Sequence, residues 1–166
     1  MNRHRAYRGG RAGVLLAAFA LGFCGAAVAG EKGKFRGHAA LVVTKNETIK
    51  VKEQPEHVIY QMQEDGVMFN DAGSGLLDKA RYQVIYMSDS GGMVSGGYKT
   101  FTMADGSKVY AKFADTEANP PVYKGTWEFT GGSGKYAGIR GKGVWTYTSV
   151  ADGVAWDVFE GDYEMP

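Results

Sequence analysis

The sequence predicts an all-β domain of about eight strands, a sandwich or a barrel, and three observations carry that expectation. Short segments rich in Val, Ile, Thr, Tyr, Phe and Trp recur from His38 to Tyr163, the composition that suits a pleated, half-buried surface. Turn chemistry separates them: Asp65-Gly66, Asp105-Gly106 and Asp152-Gly153 are hairpin-type dipeptides, and Pro120-Pro121 forces an extended connection. The third is a glycine-dense connection, Gly131 to Gly143, with six glycines in thirteen residues. Glycine loses more backbone entropy on folding than any other residue, so such a density points to positive φ or close backbone approach at several of them.

In chain order the expected strands are His38 to Thr44, Val58 to Gln63, Arg81 to Met87, Tyr98 to Met103, Lys108 to Phe113, Val122 to Phe129, Val144 to Thr148 and Val154 to Tyr163. Alternation is clearest in Val109, Ala111 and Phe113 against Lys108, Tyr110 and Lys112, and in Trp127 and Phe129 against Thr126 and Glu128. Tyr82, Val84 and Tyr86 alternate with Arg81, Gln83, Ile85 and Met87, so this strand is apolar on both sides and calls for cover on both, the interior within and a loop or partner subunit without. Asn70 to Lys79 reads as a long loop, and a helical turn is expected at Tyr136 to Ile139.

A strand ending in aromatics, then Gly131-Gly132-Ser133-Gly134-Lys135-Tyr136-Ala137-Gly138 and a second strand, resembles the signature of the allene oxide cyclase-like and dirigent-like β-barrels, especially their bacterial secreted members of unknown function. Glu56-His57, Gly96-Gly97-Tyr98 and Asp105-Gly106-Ser107 fall in the order such proteins would have. The resemblance implies a small closed antiparallel barrel with a hydrophobic interior. It implies no particular reaction, although in the resembled families the barrel steers a reactive intermediate through cyclisation or coupling without a cofactor.

Residues 1–29 read as a secretory signal peptide. Arg3, Arg5, Arg8 and Arg11 form a basic start, Val14 to Val28 is apolar, and Ala27-Val28-Ala29 is an A-x-A cleavage site. The apolar stretch is short for a membrane span. No two of these arginines are adjacent, and bulky Phe23 before Cys24 disfavours a lipoprotein site. Cleavage after Ala29 leaves residues 30–166 as one domain, without cysteine, secreted or periplasmic and stabilised by its core. It also leaves 15 basic against 18 acidic residues, a net charge of −3 in place of +1. That balance, with dispersed lysines, argues against a nucleic-acid partner.

Chemistry-bearing motifs are few. Gly131 to Lys135 fits neither a Walker loop nor G-x-G-x-x-G, so Gly131, Gly132, Gly134 and Gly138 are assigned a structural role. Within residues 30–166, two histidines on separate segments, no cysteine, no D-x-D-x-D-G spacing and scattered methionines give no metal site, and no cofactor is expected. What remains is an aromatic surplus. Tyr82, Tyr86, Trp127 and Trp145 are the candidate ligand-binding residues, because a barrel lined with rings and hydroxyls suits a small hydrophobic or aromatic molecule; a self-filled interior is the alternative. Were the protein an enzyme, a cofactor-independent cyclase or isomerase, the candidates are His57, Tyr98, Arg140 and Asp157, ionisable or hydroxyl-bearing residues near strand ends. An interaction protein acting as a homo-oligomer is the third reading.

Overall fold

The alternation that marks strands runs further than the composition of each segment suggests. In the computed structural model, which describes residues 30–54, 56–92 and 95–166, the strands are β1 (Lys32–Lys50), β2 (Val58–Asn70), β3 (Ala80–Asp89), β4 (Ser95–Thr102), β5 (Lys108–Asn119), β6 (Val122–Gly132), β7 (Arg140–Ala151) and β8 (Val154–Glu164). Each pairs antiparallel with the next, and β8 pairs with β1, closing an eight-stranded barrel. Closure leaves no unpaired sheet edge. The signal-peptide reading lies outside the described residues.

Two expectations are corrected. Asp65-Gly66 is no hairpin: it lies within β2, with Gly66 opposite Leu41 on one side and Tyr82 on the other. Its glycine serves strand approach, since a Cβ there would lie 2.0 Å from the Ala40 carbonyl oxygen. The helical turn falls earlier than expected, as a 3-10 turn over Gly134–Tyr136. Asp105-Gly106 and Asp152-Gly153 do turn, with φ of 81° and 66° at the glycines.

The barrel has a packed half and an open half. The packed half lies toward the β2–β3, β4–β5 and β6–β7 connections. At this end the 71–79 segment has Leu76 and Leu77 buried, and the glycine-rich connection has Tyr136 and Ile139 buried. Within it Tyr82 stacks on Phe101 at 4.7 Å, and Phe159 meets both edge-on. Inward glycines make room for rings: a Cβ on Gly161 would stand 2.5 Å from the Trp127 indole, and one on Gly141 would stand 2.7 Å from Phe129. Trp127 and Trp145 donate their indole N–H groups to the Val144 and Thr126 carbonyls, so each ring latches β6 to β7 while filling the interior.

Candidate functional site

The open half is the mouth formed by the β1–β2, β3–β4, β5–β6 and β7–β8 connections, and it holds a cavity of about 490 Å³. Inward positions lead into it along every strand: Tyr60, Met62 and Glu64 on β2, Val84, Tyr86 and Ser88 on β3, Phe113 and Asp115 on β5, Trp145, Tyr147 and Ser149 on β7. A β-bulge between Val43 and Lys45 switches the alternation of β1, so that Asn46 follows Val43 into the cavity wall. Further bulges between Asp115 and Glu117 and between Ser149 and Ala151 sit at the same end. Bulges re-aim side chains where a barrel must widen.

The floor is an ion pair. Lys99 Nζ lies 2.9 Å from Asp157 Oδ2, and both side chains are almost wholly buried, at 2% and 1% exposed. Tyr82 donates its hydroxyl to the same oxygen at 2.8 Å. The ammonium also sits 4.1 Å from the ring centre of Phe159, 4.4 Å from Phe113 and 5.0 Å from Trp145, a cation–π setting that favours its charged form. Burial pushes the Asp157 carboxyl up and the Lys99 ammonium down, each opposed by the other's charge. A lone charge at this depth is costly, so the two ionise together. Asp157 Oδ1 makes no hydrogen bond, although the Val158 backbone N–H close to the carboxylate favours its ionised form.

Two further carboxyls stand on the walls. Glu64, 3% exposed, accepts a hydrogen bond from the Tyr147 hydroxyl at 2.7 Å. Burial raises its pKa; the Tyr147 bond and Lys99 oppose that rise and the Asp157 charge adds to it. Burial likewise raises Tyr147, which keeps that hydroxyl a donor. Asp115, three strands round the barrel from Glu64, accepts from Tyr86 at 2.9 Å and Ser95 at 2.5 Å through Oδ2, while its Oδ1 is shielded and has no hydrogen-bond partner among the described residues. Rings therefore supply the walls, and buried carboxyls bonded to tyrosine hydroxyls supply the polar points. Glu64, raised by burial and hydrogen-bonded, is chemically able to give or take a proton.

The sequence candidates divide. Tyr86, Trp145 and Asp157 line the cavity. Tyr82 lies beneath it, fully buried and bonded to Asp157, and Trp127 belongs to the packed half. Tyr98 points outward, 59% exposed beside Ile85, because it alternates with inward Lys99. Arg140 begins β7 at the packed end, exposed and away from the cavity. His57 stands at the mouth, held by Gln54 at 3.0 Å and by Asp89, apart from the cavity wall. Of the glycines, Gly131, Gly134 and Gly138 have positive φ, and a Cβ on Gly132 would stand 2.4 Å from the Tyr136 carbonyl oxygen. Sequence reasoning missed Glu64, Lys99 and Asp115. Their signal was phase: each is a polar residue in step with buried neighbours, as Lys99 is with Phe101 and Asp115 with Phe113. Among the described residues no group of three His, Cys, Asp or Glu is placed to hold a metal ion, and no helix is long and apolar enough to cross a membrane.

No protein-family model matches this chain and no curated protein matches it. Among solved structures, a pterocarpan synthase dirigent protein is similar to it, with a TM-score of 0.51 at 18% identity over 92% of this chain and 96% of that one. At that identity the likeness concerns the fold. The chain has a dirigent-like barrel, the dirigent side of the resemblance drawn from the glycine motif.

Proposed function

We propose that this protein is an exported carrier or receptor that binds a small hydrophobic or aromatic molecule in the open half of its barrel. The observation that supports this reading is the cavity of about 490 Å³, within the size range of small-molecule pockets, walled by rings and carrying a few fixed polar groups. The enzyme alternative, a stereochemical guide or a cofactor-independent cyclase or isomerase, gains from Glu64, a buried carboxyl of raised pKa touching the cavity. It also gains from the dirigent-like fold, as an analogy only.

The tryptophans provide the test, because they report on three environments. Trp145 borders the cavity, Trp127 is in the packed half and Trp156 is 42% exposed on the outer face. Titration with phenolics, fatty acids and oxylipins should shift the emission saturably for at least one class, and Trp145→Phe should abolish most of the change. No saturable response from any class overturns the binding reading and favours an interaction protein working through its outer face. Turnover of a bound ligand promotes the enzyme reading.

A further inference from the structure

Ion pairing differs sharply between the outside of the barrel and its cavity. On the outer surface many carboxylates have basic partners, among them Asp65 with Arg81 at 3.0 Å, Glu128 with Lys112 at 2.9 Å, Asp105 with Lys135 at 3.0 Å and Glu117 with Lys124 at 3.1 Å. The cavity is lined by buried Glu64 and Asp157, half-buried Asp115 and, at its rim, exposed Asp152, against a single basic residue among the described ones, Lys99. Lys99 is taken by Asp157. Among the described residues no Lys, Arg or His forms an ion pair with Glu64, Asp115 or Asp152. The hydrogen bonds to Asp115 come from neutral hydroxyls, and they leave one shielded oxygen without a hydrogen-bond partner among the described residues. Neutral donors offset only part of the cost of sheltering a carboxylate from water; a nearby positive charge offsets more.

The same barrel already shows how it accommodates an ammonium. Lys99 is held by one carboxylate at 2.9 Å and by the faces of surrounding aromatic rings, among them Phe113 and Trp145. Those two rings also line the cavity, where Tyr60, Tyr86, Tyr123 and Tyr147 join them. Aromatic faces attract cations, and unpaired carboxylates in a partly enclosed, low-dielectric space attract them further. An anionic ligand meets the reverse: its charge would face the cavity's acidic groups, with the only ammonium among the described lining residues already paired with Asp157.

Resting on the reading that the cavity binds a small molecule, we propose that it selects organic ammonium ions, taking a protonated arylalkylamine with its ammonium near Asp115 and its ring among the tyrosines, and rejecting carboxylates of the same shape. The test uses the purified protein, without its signal segment, and three probes with one 4-hydroxyphenyl ring and arms of similar length. These are 4-hydroxyphenethylamine (cation), 4-propylphenol (neutral) and 3-(4-hydroxyphenyl)propionate (anion), titrated calorimetrically at pH 7 and low salt. The amine should bind about tenfold or more tighter than propylphenol, and the propionate weakest. In Asp115→Asn the amine should fall to within about threefold of propylphenol, whose own affinity stays put, as the removal of a charge and little else requires. Propylphenol or the propionate binding as tightly as the amine overturns the cation preference and leaves the binding reading standing. Saturable binding by none of the three overturns this proposal, while the binding reading is still decided by the wider titration with phenolics, fatty acids and oxylipins. Should Asp115→Asn fail to fold, the ranking of probes on the parent protein decides alone; a folded Asp115→Asn that keeps the full preference overturns the role of Asp115.

Discussion

Along β6 the inward positions run Phe129, Trp127, Gly125, Tyr123 from the packed end to the mouth, and along β5 they run Val109, Ala111, Phe113, Asp115. In both strands these inward positions keep the period of two, although the pairing between the strands shifts register at Tyr110/Ala111 and at Asp115/Glu117. What changes is the chemistry hung on it. In the packed half rings nest on glycines and exclude water; in the open half the same positions carry hydroxyls and carboxyls that satisfy one another. The change falls at the level of Lys99 and Asp157, where Phe159 of the packed half and Phe113 of the cavity lie over one ammonium. The packed core and the cavity are thus separated along the barrel axis, which lets a mouth residue vary without unseating the core.

That separation is breakable by mutation, and the largest test is in the packed half. Trp127→Ala removes an indole that is 2% exposed, together with its bond to Val144, and should cost about 3–5 kcal/mol in denaturant unfolding. Tyr123→Phe, at the mouth and half-buried, should cost less than about 1 kcal/mol while altering ligand titration. Equal losses at the two sites would erase the distinction between the halves. At the boundary, Lys99→Met leaves Asp157 buried without its partner, and unfolding should show a loss of roughly 3 kcal/mol or more. The double variant Lys99→Met with Asp157→Leu should recover most of it, because two apolar residues need no pairing. A double variant as unstable as the single one would mean that the pair organises the core beyond its charge.

A smaller effect belongs to the glycine connection. Gly134 has φ of 61°, and a Cβ there would stand 2.8 Å from that of Ser107, so Gly134→Ala should lower stability by about 1–2 kcal/mol. Calorimetric melting of the variant against the parent measures it. An unchanged melting temperature would place this connection with the tolerant mouth loops rather than with the packed end.

Much of the barrel was legible because period-two alternation survives in nearly every strand, and Val109, Ala111, Phe113, Trp127 and Phe129 all face inward as their spacing requires. The errors have local physical causes. Asp65-Gly66 carries turn chemistry, yet the approach of the Ala40 backbone uses the glycine inside a strand. The 71–79 segment reads as a long loop and is one, but its composition does not show that Leu76 and Leu77 within it are buried, with Leu77 held at φ of 61°. The site was less legible than the fold. Candidates were chosen for being ionisable near strand ends, which drew in Tyr98 and Arg140, outside the cavity. Phase with the buried face marks Glu64, Lys99 and Asp115 better, but only closure of the barrel reveals that Lys99 and Asp157, 58 residues apart, meet. Pairing across a barrel interior leaves no spacing in the sequence.

The smallest expected effect is a slope rather than a drop, and it sharpens the contrast between buried carboxyls and surface ones. Glu64 has its pKa raised above 4.5 in the folded protein, chiefly by burial. The folded state therefore holds the Glu64 proton over a range of pH in which the unfolded chain has released it, and stability falls as pH rises through that range. Its contribution is complete below about 4.5, the ordinary value, and is lost once pH passes the raised one. Surface Glu128, paired with Lys112, has its pKa lowered instead, which gives a slope of opposite sign, muted by solvent screening. Glu64→Gln cannot titrate and keeps the shape and an acceptor for Tyr147, so the difference in unfolding free energy between parent and variant, followed by urea denaturation from pH 4 to pH 8, isolates the Glu64 term. The parent should lose stability relative to Glu64→Gln as pH rises. A difference that stays flat across the range would mean that Glu64 ionises as readily as a surface carboxyl, and would remove the acid on which the enzyme reading of the cavity depends.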